Sequence, residues 1–88
     1  MDIERNRVTG NCLRKLRRDA GLTQTQLAAR LHKTQSFVSK VENAERELSL
    51  VESFSYAQAL RTSYKTLITM VYTDLMDADL YADLNDSL

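Results

Sequence analysis

Apolar residues recur every three or four positions along most of the chain, which is the spacing of an amphipathic helix. This pattern predicts five helices and an all-α fold. The first helix is predicted from Val8 to Ala20, and Gly21 follows where a left-handed cap is commonly needed. The apolar stripes of the other four helices are Leu27, Ala28 and Leu31; Val38 and Val41; Leu50, Phe54, Ala57 and Leu60; and Tyr64, Leu67, Ile68, Val71 and Leu75.

Polar residues mark where these helices begin. Thr23 and Gln26 stand three residues apart, as do Ser49 and Glu52. This is the spacing of a capping box, in which two side chains satisfy N–H groups at a helix start. Further capping residues are expected at Thr34 and Ser63. Residues 24–43 therefore divide into two short helices joined by a tight turn.

Composition favours one small helical domain. The 88 residues contain no proline, no tryptophan and two glycines, which suits helices with short connections. Cys12 is the only cysteine, so an internal disulfide is excluded and a reducing cytoplasm is expected. No segment approaches the ~18 apolar residues of a membrane span, so no membrane association is predicted.

The net charge of zero conceals an uneven distribution. Residues 1–46 hold ten Lys/Arg against five acidic residues, whereas residues 47–88 hold two against seven. A basic half joined to an acidic half suggests a surface for a polyanion and a separate tail. Solvated faces that happen to differ in charge would give the same totals, so charge alone does not decide between the two.

The outward side of the third helix carries amides, hydroxyls and one amine. A merely solvated helix usually carries more Glu and Lys at such positions. Glutamine can bond adenine in the major groove and lysine can bond guanine. The residues concerned are Gln35, Ser36, Ser39, Lys40 and Asn43. Their chemistry favours a surface that reads double-stranded DNA.

Residues 9–71 resemble the helix-turn-helix domain of the XRE or phage-repressor and Cro-like transcription regulators. The matching runs are LRKLRRDAGLTQTQLAARL, TQSFVSKVENAERELSL and YAQALRTSYKTLI. Ala28 and Val38 occupy the fifth and fifteenth positions of the family's twenty-residue unit. The ninth position is usually glycine but here is His32, so the turn is expected to be altered or to carry roughly 1 kcal/mol of strain. Ala44 likewise replaces a frequent glycine after the recognition helix.

The resemblance implies a five-helix lambda-repressor-like DNA-binding domain at residues 9–72. An N-terminal arm (1–8) would precede it and an acidic tail (73–88) would follow. It implies that Gln35 and Ser36 read bases, with Phe37, Ser39 and Lys40 in secondary positions. It further implies that Gln24 contacts a phosphate and braces the recognition helix, and that Asn43 contacts the DNA backbone. Phe37 could equally pack under the fourth helix. Thr34, Lys33 and Arg46 complete the predicted DNA-binding set.

Two functions follow from these features. The first is a DNA-binding transcriptional regulator that binds a two-fold operator as a homodimer. Repression is its favoured mode of regulation. Its predicted dimer interface is formed by Val71, Tyr72, Leu75 and Met76, because the apolar residues there exceed what a small core needs; the same segment could instead fold back on its own domain. The second is an antitoxin-like module whose acidic tail binds a partner protein while the helix-turn-helix autoregulates.

An enzyme is not expected. The sequence contains no CxxC, no HExxH and no phosphate-binding glycine loop. We therefore predict no catalytic residue, no metal ligand and no cofactor. The resemblance implies a bacterial or phage-encoded protein of the cytoplasm that is nucleoid-associated when bound.

Overall fold

The computed structural model of the chain describes residues 2–80, and over this range it forms five α-helices and no strand. The helices are α1 (Ile3–Asp19), α2 (Gln24–Leu31), α3 (Gln35–Glu42), α4 (Leu50–Ala59) and α5 (Tyr64–Asp77). The all-α, five-helix prediction is confirmed. Residues 81–88 carry the end of the predicted acidic tail, so its predicted role as a partner-binding segment lies outside the described residues.

The first helix starts earlier than the apolar pattern predicts. It begins at Ile3 rather than Val8, because the Asp2 carboxylate accepts the Arg5 backbone N–H at 3.0 Å and caps the helix. Residues 3–7, which fall within the predicted arm, therefore belong to α1. The other predicted caps are confirmed: Thr23, Thr34, Ser49 and Ser63 each accept an N–H in the first turn of their helix, and both capping boxes are complete.

The core lies where the five helices meet, and its fully or nearly buried members come from every helix. They include Leu13, Leu27, Ala28, Val38, Val41, Tyr56, Ala57 and Leu67. The predicted stripe of α4 is wrong at two positions, since Leu50 and Phe54 are exposed. This helix instead buries the face that carries Tyr56, Ala57 and Leu60, with which it packs against its neighbours α2 and α5.

Helix α5 runs antiparallel along α1. Near one end the Arg5 guanidinium donates to the Leu80 carbonyl at 3.0 Å, and further along α1 Cys12 lies beside Asp74. Leu75 is only 8% exposed within its own chain, so it offers little surface to the predicted dimer interface. The fold-back alternative therefore holds for Leu75, while Val71 is half-buried against the core and Tyr72 stays exposed.

Candidate nucleic-acid interface

The turn between α2 and α3 keeps the left-handed conformation in spite of its histidine. His32 has φ 56° and ψ 39°, and its N–H donates to the Ala29 carbonyl at 3.2 Å. The Lys33 N–H then donates to the Ala28 carbonyl at 2.9 Å, which closes the end of α2. Of the two outcomes expected for this position, an altered turn or a strained one, the backbone shows the second.

The far end of α3 closes in the same way. Ala44 has φ 62°, and its N–H donates to the Val41 carbonyl at 3.2 Å. The Glu45 N–H donates to the Lys40 carbonyl at 2.8 Å. Helix α3 is thus bounded on both sides by a left-handed residue that is not glycine. Both residues carry a Cβ into a region where it is unfavourable.

A buried ion pair fixes the inner side of α3. The Glu42 carboxylate is 2% exposed and accepts two hydrogen bonds from Arg17, Nε to Oε2 at 2.6 Å and Nη2 to Oε1 at 3.0 Å. Arg14 approaches the same carboxylate at 3.4 Å. Burial alone would raise the pKa of Glu42, but hydrogen bonds from Arg17 and Gln24 outweigh it and hold that pKa below its usual value. The carboxylate is therefore ionised.

The sequence interpretation missed this pair, although a signal was present. Arg17 stands one helical turn after the core residue Leu13, and Glu42 stands one turn after the core residue Val38. This spacing indicates that each side chain faces inward, but it does not show that the two lie together. Gly10 was missed as well: a Cβ there would lie 2.5 Å from the Glu42 carbonyl oxygen, so only glycine lets α1 approach the end of α3 this closely.

Gln24 links this buried carboxylate to the exposed surface of α3. Its Nε2 donates to Glu42 Oε1 at 3.0 Å, and its Oε1 accepts from Gln35 Nε2 at 2.7 Å. Gln24 is half-buried and Gln35 is exposed. The first side chain of α2 thus holds the first side chain of α3, which is the arrangement that bracing of the recognition helix requires.

The predicted base-reading positions lie together on the outer side of α3. Gln35, Ser36 and Lys40 are exposed, and Ser39 is half-buried. Thr34 is exposed as the cap of this helix, and its hydroxyl accepts the Phe37 N–H at 3.2 Å. Together they present amide, hydroxyl and amine groups at the start and along one side of a helix.

Asn43 stands at the end of α3 and is held by two neighbours. Its Oδ1 accepts from Arg14 Nη2 at 2.8 Å, and its Nδ2 donates to Ser39 Oγ at 3.3 Å. Asn43 is exposed, so these contacts orient the amide without covering it.

Phe37 and Arg46 are engaged within the chain. Phe37 is half-buried and packs against the core, and the Arg46 guanidinium lies 4.6 Å from its ring centroid. The Lys33 ammonium lies 5.4 Å from the same centroid. Arg46 also forms a two-point ion pair with Glu52, at 2.9 and 2.8 Å. Phe37 therefore packs within its own chain, and its predicted contact with a base stays a prediction.

Cys12 is buried beside Asp74. Burial, and then the contact with Asp74, raise the pKa of the thiol to about 12, so it stays protonated near neutral pH. Between residues 2 and 80 no group of three His, Cys, Asp or Glu side chains could hold a metal ion. In the same range, no helix combines the length and the apolar character needed to cross a membrane.

Two short helices meet at a left-handed turn, and the Gln24–Glu42 hydrogen bond joins them on the inner side. The second helix exposes a polar side. This arrangement is that of a helix-turn-helix DNA-binding protein. A family model described as helix-turn-helix matches residues 13–67. The chain belongs to the XRE family of helix-turn-helix transcriptional regulators.

Individual relatives agree with this assignment. An uncharacterised HTH-type transcriptional regulator, y4dJ, of Sinorhizobium fredii is 31% identical over 67 residues, which cover 76% of this chain and 87% of that protein. An XRE-family like protein from Pseudomonas syringae is 38% identical, with a TM-score of 0.70 over 80% of this chain and 85% of that one. The restriction-modification controller protein C.AhdI from Aeromonas hydrophila is 37% identical, with a TM-score of 0.64 over 67% of this chain and 86% of that one.

Proposed function

We propose that this protein represses transcription by binding a two-fold symmetric operator as a homodimer, with α3 in the major groove. The observation that carries the proposal is the division of α3 into two sides. Val38, Val41 and Glu42 are buried, whereas Gln35, Ser36 and Lys40 are exposed and polar. A helix fixed on one side and polar on the other can reach base edges without disturbing the core.

The proposed contacts follow from position. Gln35 and Ser36 read bases, and Ser39 and Lys40 lie behind them along the groove. Gln24, Lys33, Thr34 and Asn43 contact the DNA backbone, because they lie at helix ends or in the turn, where N–H groups and side chains face phosphates. Phe37 and Arg46 support the surface, since each is already held by contacts within the chain.

A dimer is needed because one short helix reads only a few base pairs, and two copies on successive turns of the duplex multiply the specificity. The apolar face of α4 and α5, formed by Leu50, Val51, Phe54, Ile68 and Tyr72, is the proposed interface. Its side chains are between 41% and 70% exposed. Such an apolar surface on a small domain is typical of a protein–protein contact.

Several residues of this face are joined by shared contacts. Leu50 and Ile68 line one cleft of about 360 Å³, together with Tyr64 and Val71. The Phe54 ring packs edge-on against Tyr64, with centroids 4.5 Å apart. The proposed interface therefore keeps Tyr72 from the sequence prediction, leaves out Leu75, and moves its centre toward α4, while Val71 lines the cleft beneath it.

Selection of bound sites from random duplex DNA, combined with light scattering, tests the proposal. A two-fold site and a dimer mass are expected; a monomer without sequence preference would refute it. Gln35→Ala should cost roughly 1–3 kcal/mol on the selected site and relax specificity there. Lys40→Ala should weaken binding and reduce its salt dependence by about one phosphate contact, whereas Lys65→Ala, an exposed lysine on α5, serves as the control.

The interface has its own test. Val51→Glu or Ile68→Glu should shift the mass toward the monomer and weaken operator binding, because a charge would be buried between two copies. Ile3→Glu is the control, since Ile3 is also exposed and apolar but belongs to α1. If Val51→Glu and Ile68→Glu both kept the dimer mass, the interface would lie elsewhere.

A further inference from the structure

We propose that the C-terminal segment of the chain, residues 81–88, docks in the apolar cleft of its own copy and there competes with a second copy for the apolar face of α4 and α5. This inference rests on the proposed function, because that face is the proposed dimer interface. It is carried by the composition of the cleft and by the place where the chain leaves α5.

The cleft combines apolar and polar lining residues. Its volume is about 360 Å³, and residues of α1, α4 and α5 form its walls together with the loop that precedes α4. Its apolar lining includes Leu13, Val41, Leu48, Leu67 and Val71. Its polar lining includes Asn6, Thr9, Ser49 and Ser53. A suitable occupant therefore brings apolar side chains together with backbone groups that can hydrogen-bond to the polar lining.

The chain leaves α5 beside one end of this cleft. Asp79 has φ 61°, a left-handed conformation, and the Leu80 N–H donates to the Leu75 carbonyl at 3.1 Å, which closes the helix. The Leu80 carbonyl then accepts from Arg5 Nη2 at 3.0 Å. Asn6, the next residue after Arg5, lines the cleft. The C-terminal segment therefore starts from a fixed point next to the cleft.

The segment is long enough to span the cleft. Along α1 the lining residues run from Asn6 to Leu13, a distance of about 10 Å at 1.5 Å per residue. Eight residues cover about 26 Å when extended and about 12 Å as a helix. A contact made over so short a tether has an effective concentration in the millimolar range. The chain's own segment is therefore favoured over that of a second copy at micromolar protein.

The composition of the segment matches the lining of the cleft. Tyr81, Leu84 and Leu88 are three and four positions apart, a spacing that suits one apolar side. Asp83 and Asp86 fall on the opposite side of the same pattern. The apolar face of α4 and α5 is exposed among the described residues, and an apolar surface of this kind calls for a cover. The segment supplies that cover without a second chain.

Docking makes dimer formation depend on release of the segment. Leu50 and Ile68 belong both to the cleft and to the proposed interface, so they cannot contact the segment and a second copy at once. Both copies must open before they pair, so the observed dimer dissociation constant rises with the square of the closed-state penalty. If each face is open one quarter of the time, the constant rises by about 16-fold.

Leu84→Asp in the full chain tests this competition, because a carboxylate opposes burial in an apolar cleft. Sedimentation equilibrium should show a dimer dissociation constant roughly 10-fold lower than that of wild type. Ser87→Asp is the matched control: it adds the same charge to the same segment at a position on the polar side of the pattern. Its dissociation constant should stay within about 2-fold of the wild-type value.

A second readout reports on the cleft itself. The methyl NMR signals of Ile68 and Val71, recorded at a concentration where the protein is monomeric, should shift in Leu84→Asp and stay in place in Ser87→Asp. Val8 provides an internal reference, since it lines a separate cleft beside Cys12. Its methyl signals should be the same in all three proteins.

The outcomes separate this inference from the proposed function. Unchanged Ile68 and Val71 signals in Leu84→Asp would overturn docking, and an unchanged dissociation constant would overturn competition. A weaker dimer in Leu84→Asp would also overturn it, because the segment would then form part of the dimer contact. A wild-type chain and a Leu84→Asp variant that both stay monomeric at every concentration would refute the proposed dimer instead, while shifted methyl signals would still support the docked segment.

Discussion

Replacing His32 and Ala44 by glycine should stabilise the protein, because these residues hold the two left-handed positions that bound the recognition helix. Their φ values are 56° and 62°. The left-handed region brings Cβ close to the carbonyl oxygen and costs an ordinary L-residue roughly 1–2 kcal/mol. Glycine avoids that cost at the same backbone angles.

The net gain in the free energy of unfolding is smaller than the strain energy that glycine removes. Glycine loses more conformational freedom on folding, which costs roughly 0.5–1 kcal/mol relative to alanine. The net expectation is about 0.5–1 kcal/mol for each substitution. His32 and Ala44 lie at opposite ends of α3, so the effects of a double variant should add to about 1–2 kcal/mol. In a domain of this size each kcal/mol raises the melting temperature by roughly 4–8 °C.

Thermal and urea unfolding of the two single variants and the double variant measure this gain. Ala29→Gly is the control: Ala29 is exposed within α2 at ordinary helical angles, so glycine there should cost about 1 kcal/mol. A His32→Gly protein that is less stable than wild type would refute the assignment of strain to the turn. It would mean that the His32 side chain contributes more than its backbone conformation costs.

Three further predictions concern the core and one surface pair. Gly10→Ala should destabilise the protein by roughly 1–3 kcal/mol in urea unfolding, since the new Cβ would lie 2.5 Å from the Glu42 carbonyl oxygen; a neutral result would disprove the close approach of α1 and α3. Tyr56→Phe should keep or raise the midpoint of the same transition, because the buried Tyr56 hydroxyl has no hydrogen-bond partner among residues 2–80; a loss above about 1 kcal/mol would show that it has one in solution. The Arg46 ion pair and the Ser49 N–H lower the pKa of Glu52 from 4.5 to about 2, so its stabilising contribution is complete above pH 4.5 and is lost as pH falls through 2; a melting temperature that falls as steeply with acid in Glu52→Gln as in wild type would contradict this.

The helices could be predicted from the sequence because their signals are local. Both capping boxes lie within four residues, and the apolar spacing of α2 and α3 is unambiguous. The predicted start of α1 is too late, because Asp2 falls within the predicted arm and yet caps the helix. The buried face of α4 was misjudged for a different reason. Periodicity gives the spacing of a stripe, but Leu50 and Tyr56 are both apolar enough to face inward, and only the packing of α5 decides between them.

Long-range contacts were beyond the sequence pattern. The outward polar positions of α3 were predicted, but the groups that hold them in place were not, because Arg17 and Glu42 are 25 residues apart and the spacing within one helix does not show which residue of another helix a side chain meets. Burying these two charged side chains carries a desolvation cost. A pair of apolar residues would fill the same space with less desolvation. An apolar residue at position 42, however, could not accept from Gln24, and both glutamines of the reading surface would be free to rotate. The buried Glu42 carboxylate thus holds the Gln24 amide by a hydrogen bond, and Gln24 in turn holds the Gln35 amide.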